Sequence, residues 1–474
     1  MQIKFFIITI ILLCIELNAR NLDSKTFNKI DNYIKAVQEK VDIPTISIGI
    51  IKENSLIYKK NYSKNNVDTK SLFYIGSLTK SFTALAIMQL VEEGKIDLNN
   101  SINKYLPWFK LKDYSNTSKI TIETLLNQTS GFSTYDGLKN FDDWDNSDLA
   151  LEKTIRSLKD STLISKPSTV FHYSNVNYQI LGLIIEKVSG LSYNEYLTKN
   201  IFQKLDMKNS YASLESMDIN LMSQGHRVWF GKSINATFPF SKVMLPAGYI
   251  ISSVEDMSKY IIAQLNNGRY KNNQVFSPSI IKQLQTPSAT IEKDKTYYGY
   301  GWFINKDVEF KLSHLGIVPG YTSAMIIYPK EKFGVVVLTN TMSYTLNSTE
   351  LNNLADGIDK IVHGKEITPN GNDIIIKIGY TFFIALFIVQ VILLKRFFVR
   401  FNNPSKYKVI LSLIFDVLII LILFFVLPHL YNLTYSGFLL FVPDMGYLML
   451  ASIIIALIGL ASKIILIIKR LTLR

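Results

Sequence analysis

Apolar positions come in short clusters along most of the chain, but after residue 374 they fuse into three long runs, at about 374–394, 409–430 and 447–468. The first begins at Ile374 if Lys377 is tolerated near an interface, and at Ile378 otherwise. Such runs are long enough to cross a hydrocarbon core of roughly 30 Å at about 1.5 Å per residue. A three-helix transmembrane region over 374–474 is therefore predicted. A shorter run, Phe5 to Leu13, follows Lys4 and precedes a cleavage-like Ala19. That pattern predicts a secretory signal peptide over 1–19, with an uncleaved anchor as the alternative.

Between these ends, residues 20–365 read as a globular domain, and 366–373, with Pro369 and Gly371, as a linker. Thr45 to Ile51 is rich in β-branched residues, and a polar stretch separates it from Leu56 to Tyr58, which predicts a hairpin. Tyr321 to Tyr328 and Phe333 to Leu338 flank a polar turn and predict a second. An amphipathic helix is expected from Ser81 to Glu93, stopping at Gly94, and another helix from Val176 to Val188, ending near Gly190. Leu351, Leu354, Ile358 and Ile361 give a last helical stripe closed by Gly364. Strands at both ends of a helical middle predict an α+β fold.

Composition supports the membrane reading: 48% of residues are apolar and only 19% charged. The net charge of +13 does not call for nucleic acid, because ten Lys or Arg against two Asp lie beyond residue 373. Lys395, Arg396, Arg400, Lys406 and Lys408 separate the first two runs, and Lys469, Arg470 and Arg474 follow the third. The loop from Asn432 to Gly446 has neither Lys nor Arg. Basic loops stay cytoplasmic, so the globular domain is expected on the extracytoplasmic side and the C-terminus inside. Asp416 lies within the second run and is either functional, a helix-packing group or protonated. Cys14 is the only cysteine and falls in the predicted leader, which leaves no disulfide or cysteine–metal site in a processed chain.

The candidate chemistry starts at Ser77-Leu78-Thr79-Lys80, where a helix begins. A helix N-terminus stabilises developing negative charge. Lys80, one turn on, returns to the serine's face and, if desolvated, can take its proton. The spacing alone is weak, since Ser101 to Lys104 and Ser279 to Lys282 share it. Downstream, Tyr173-Ser174-Asn175 offers a phenol for proton transfer and an amide for a substrate carbonyl. Ser313-His314-Leu315-Gly316 offers a strand glycine that lets substrate approach the backbone, and an N–H from such a strand can help build an oxyanion hole.

In this order and spacing the three elements resemble the serine β-lactamase/penicillin-binding-protein superfamily, in the branch of class C β-lactamases, D-aminopeptidases and related esterases. Thr124 to Phe132, Pro246 to Ser253 and Tyr298 to Trp302 support the likeness, which spans nearly the whole globular domain. The resemblance implies an antiparallel sheet flanked by helices, with an all-helical subdomain. It implies Ser77 as an acyl-enzyme nucleophile, Lys80 and Tyr173 as the proton-transfer pair, and Asn175 as a substrate binder. It also implies an oxyanion hole from the N–H groups of Ser77 and Ile317, beside Gly316 and His314. No cofactor is called for. Gln128 stands where many relatives have His, and His314 where several have Lys. A neutral histidine binds a substrate carboxylate less well, which argues against an efficient β-lactamase. The expected substrate is a peptide, small amide or ester, with D-amino-acid-containing or cell-wall peptides foremost. Two further readings are a D-asparagine peptidase of a natural-product pathway, which shares the three membrane helices, and a non-catalytic penicillin-binding sensor. A Ser-His-Asp hydrolase lacks its Gly-x-Ser-x-Gly elbow here. No His pair has the helical spacing of a zinc site.

Overall fold

A computed structural model of the protein describes residues 22–63, 68–307, 309–344, 346, 348–367, 374–399 and 406–472. The predicted leader over 1–19 and most of the predicted linker lie outside the described residues. The two expected hairpins become β1 (Thr45–Lys52) with β2 (Ser55–Ser63), and β7 (Tyr321–Tyr328) with β8 (Phe333–Thr339). Between them in the chain lie β3 (Ala289–Glu292), β4 (Thr296–Tyr298), β5 (Phe303–Asn305) and β6 (Lys311–Val318). All eight form one antiparallel sheet in the order β2-β1-β8-β7-β6-β5-β4-β3. The hairpins are thus joined edge to edge, with Ile48 of β1 opposite Val337 of β8.

The pleat sends alternate residues of β1 to opposite faces. Ile46, Ile48 and Ile50 pack with Val335 and Val337 against helix α1 (Ser24–Val41). Ile51 joins Val336 and Leu338 on the other face. Because helices cover both faces, β1 is buried from Thr45 to Ile51, as a doubly covered strand must be.

The second layer holds α2 (Thr79–Glu92), α3 (Asn175–Ser189) and α4 (Val254–Leu265). The expected amphipathic character of α2 is a point where the fold differs: every residue from Thr79 to Leu90 is buried. Its polar positions are bonded inside the protein. Thr83 Oγ1 donates to Pro246 O at 2.7 Å and Gln89 Nε2 to Asn200 O at 3.2 Å. Bonded through these donors, they can face packed neighbours instead of water. The last stripe also differs. It forms two helices, Ser348–Asn352 and α5 (Leu354–Val362), separated at Asn353, and α5 packs beside α1.

Three apolar helices follow. α6 spans Ile374–Val399. α7 runs over Lys406–Leu421 and continues through a π-helical turn, Ile422–Val426, to Leu430. The short α8 (Tyr435–Phe441) precedes α9 (Pro443–Thr472). The segments long and apolar enough to cross a membrane are Ile376–Val399, Tyr407–Leu430 and Pro443–Lys469, with mean hydropathy of 2.3, 3.2 and 2.6. The π turn sits just before Pro428, whose missing N–H and bulky ring disturb the regular ladder. Asp416 on α7 pairs with Lys463 on α9, both buried, beside Gly459. The carboxylate within the second apolar span is therefore an interhelical partner.

The bundle meets the globular region at one end. Phe230 N donates to Asp444 Oδ2 at 3.1 Å, and Tyr380 OH donates to the same carboxylate. Trp229 packs on Tyr447, and Tyr135 on His429, with ring centroids 5.5 and 5.1 Å apart.

Candidate active site

The segment Phe73–Tyr74 pairs with Ile251–Ser252, and Ile75 N donates to Ile250 O at 2.9 Å. The chain then turns sharply at Gly76, whose φ is +51°, and enters α2 through the 3-10 turn Gly76–Leu78. Left-handed backbone of this kind favours glycine. From Ser71 to Leu90 every residue is buried except Ser77. The turn therefore lifts one side chain out of an otherwise enclosed segment.

Burial separates the three Ser-x-x-Lys sequences that spacing cannot. Lys104 and Lys282 are exposed, whereas Lys80 is 0% exposed. Lys80 Nζ lies 3.0 Å from Ser77 Oγ, 2.8 Å from Asn175 Oδ1 and 2.6 Å from Ala247 O. Burial pushes its pKa well below the ordinary lysine value. In a neutral amine two N–H groups satisfy the two carbonyl acceptors, and the lone pair faces the serine hydroxyl.

Tyr173 lies just before α3. Its carbonyl accepts from Thr134 Oγ1 at 2.8 Å, and its ring lies nearly parallel to Phe303, centroids 6.2 Å apart. Burial raises the phenol well above its ordinary pKa, Tyr298 adds to this, and hydrogen bonding with Ser77 acts against it. Gln128 takes hold of this segment: its backbone carbonyl accepts from His172 N at 2.9 Å, and its Oε1 accepts from Ser174 N at 3.0 Å and from Asn177 Nδ2. Gln128 thus has a positioning part. Asn175 lines the pocket, but its amide is engaged at both ends, Oδ1 with Lys80 and Nδ2 with Gly137 O at 3.1 Å.

β6 pairs with β5 only as far as Ser313 and continues alongside the Ser77 turn. Its alternation buries Leu312, His314, Gly316 and Val318. A Cβ added at Gly316 would fall 2.3 Å from Ile75 O and 3.0 Å from Ser77 N; one at Gly76 would fall 2.5 Å from Ile317 N. Only two facing glycines let these backbones approach so closely. His314 Nδ1 lies 2.8 Å from Leu315 O, and Nε2 lies 3.3 Å from Tyr298 OH. Burial, aided by neighbouring Lys80, pushes the imidazole down to about 3. It is therefore neutral at physiological pH.

The pocket in front of Ser77 holds about 330 Å³. Tyr173, Asn175, His314 and Ile317 line it, and Lys80 and Gly316 lie directly behind. Among its described lining residues there is no Lys or Arg. Apolar groups dominate the rest, including Phe141, Met244, Phe303, Tyr344 and Phe441. Sequence reasoning missed these. Only Phe303 adjoins a motif, the stretch from Tyr298 to Trp302; Phe441 sits in the loop between membrane runs and carries no local signal.

The family model described as Beta-lactamase matches residues 30–356. Protein flp of Staphylococcus aureus (strain MW2) is 32% identical over 331 residues, covering 68% of this chain and 64% of that protein. Penicillin-binding protein 4* of Bacillus subtilis (strain 168) is 27% identical over 307 residues, 61% of this chain and 65% of that one. The chain thus spans less than two thirds of the length of these curated relatives. Among solved structures, the octameric penicillin-binding protein homologue from Pyrococcus abyssi is similar with a TM-score of 0.62 and 30% identity, over 72% of this chain and 78% of that one.

Proposed function

The chain belongs to the β-lactamase/penicillin-binding-protein-like family of serine hydrolases, and from that premise we propose that it is a membrane-anchored amidase or peptidase working through an acyl-enzyme at Ser77. The observation that carries this is the fully buried Lys80, with its amine 3.0 Å from Ser77 Oγ and two acceptors for its own N–H groups. Such an amine is a base at neutral pH, and the helix N-terminus favours the charge that develops.

In the proposed cycle Ser77 Oγ attacks the substrate carbonyl and its proton passes to Lys80. The N–H groups of Ser77 and Ile317 hold the oxyanion. Tyr173, protonated in its buried setting, hands a proton to the departing nitrogen and is replenished from Lys80. Water then attacks the ester, the acid leaves, and Ser77 regains its proton. Asn175 acts here as a positioning residue for Lys80, because both ends of its amide are occupied.

A substrate group that carries a carboxylate finds no cation beside His314, which supports an uncharged ligand group and weighs against efficient β-lactam turnover. The family supports peptides with D-residues as the broad class. A D-asparagine specificity gains no support, since Asn175 is the one side-chain amide among the described lining residues and it is already engaged. Asp444, which holds Phe230, also bonds Tyr380 near the start of α6, whereas Lys395 and Arg396 stand near the end of α6 and Lys406 and Lys408 open α7, which supports an extracytoplasmic domain and a cytoplasmic C-terminus.

The test is labelling by a fluorophosphonate and hydrolysis of a panel of D-Ala-D-Ala peptides, N-acyl-D-Asn peptides, nitrocefin and short esters. Ser77→Ala should abolish labelling and lower turnover by about 10³-fold or more. Full turnover by that variant refutes the mechanism. Stable acylation of the wild type without turnover of any substrate would make the protein a sensor.

A further inference from the structure

The membrane region reaches into the catalytic pocket. Phe441, the last residue of α8, lines the space in front of Ser77 and is 3% exposed. Its ring meets Phe141 edge-on with centroids 4.8 Å apart, and Tyr344 with centroids 5.4 Å apart. Phe141 and Tyr344 also line the pocket, so three aromatic rings form one wall, two from the globular region and one from the membrane region. This wall lies at the ends of two of the apolar spans. Phe441 is two residues before Pro443, which opens the third membrane segment. The pocket residues Thr134 and Leu138 flank Tyr135, which packs on His429 in the last turn of the second. The Asp444 carboxylate joins the two parts by accepting from Phe230 N, and Tyr380 OH of α6 holds the same carboxylate from within the bundle.

We propose that Phe441 is a specificity-determining residue, and that the membrane region completes a pocket for the apolar chain of an amphiphilic amide or ester held in the bilayer. This rests on Ser77 being the nucleophile. An aromatic wall without a cation favours an alkyl or acyl chain and disfavours a charged group. Its position at the bilayer surface lets the chain enter without crossing water, while the scissile bond stays at the level of Ser77. An anchor with no part in catalysis needs no ring in the wall of the nucleophile's pocket.

The test uses the full chain in nanodiscs and two matched substrate pairs. In one pair the acyl side is acetyl or octanoyl; in the other the leaving amine is ethyl or octyl. The wild type should prefer the long chain in at least one pair. Phe441→Ala should lower that long-to-short ratio of kcat/KM by roughly tenfold, and Phe441→Leu should restore most of it. A ratio that does not move in either pair overturns the proposal, as does a wild type with no chain-length preference. Equal loss on long and short chains, with Phe441→Leu equally impaired, marks a purely structural role and also overturns it. Ser77→Ala separates the two claims: if it abolishes turnover while Phe441→Ala leaves the ratio unmoved, the nucleophile stands and the pocket proposal falls.

Discussion

Asn175 Oδ1 accepts a hydrogen bond from Lys80 Nζ at 2.8 Å, so the asparagine of the second motif serves the lysine of the first. A carboxylate at this position stabilises the ammonium form and raises the Lys80 pKa by about 1–3 units. Turnover that needs the neutral amine should then begin at correspondingly higher pH in Asn175→Asp. A pH–rate profile for acylation, compared with wild type, reads the shift. An unmoved profile would show that Lys80 is not the base.

His314 gives the folded protein an acid weakness. Its pKa falls from an ordinary 6.5 to about 3 on folding, through burial. The unfolded state therefore binds the proton more readily, and stability rises with pH in this window. The contribution is complete above about 6.5 and is lost as pH falls toward about 3, amounting to a few kcal/mol on the order-of-magnitude scale of linkage. His314→Gln should flatten the fall in Tm between these limits, measured by differential scanning calorimetry. The same steep fall in the variant would assign the acid lability to other groups.

The close approach at Gly316 can be broken by one methyl group. A Cβ there would lie 2.3 Å from both Ile75 O and Ser323 Oγ. Gly316→Ala should push β6 away from the Ser77 turn, cost about 1–3 kcal/mol in stability and lower kcat by about 10²–10³-fold. Kinetics and thermal melts on the same preparation separate the two effects. Wild-type kcat in this variant would refute an oxyanion hole built from Ser77 and Ile317.

Asp416 and Lys463 should behave as a pair. Asp416→Leu or Lys463→Leu alone strands a buried charge and should cost about 3–5 kcal/mol, whereas the double variant should recover most of that loss. Thermal unfolding of the full chain in detergent reads the cycle. Single costs that simply add in the double variant would mean the two groups do not interact.

Several features were legible from the sequence. β-Branched runs around polar turns marked both hairpins, and unbroken apolar length marked three helices long enough to cross a membrane, although the third starts at Pro443 and so takes in Asp444 from the expected loop. Other features were not. The full burial of α2 was missed because Thr83 and Gln89 look polar in sequence but find buried acceptors in Pro246 and Asn200, far away in the chain. The pairing of Asp416 with Lys463 spans 47 residues and has no local trace.

The amino-acid order by itself determined the elements and the set of candidate residues, because helix and strand periodicity and the length of an apolar run are local properties. Spacing to a lysine did not distinguish Ser77 from Ser101 and Ser279, whereas the helix start at Ser77 and the Tyr173 and His314 elements downstream singled it out. The tertiary structure added a physical difference among the three, burying Lys80 and leaving Lys104 and Lys282 in water. It also placed Phe441 in the same pocket as Ser77, across hundreds of residues. Proton affinity and pocket shape depend on which atoms exclude water from a site, and those atoms come from segments that meet only when the chain folds.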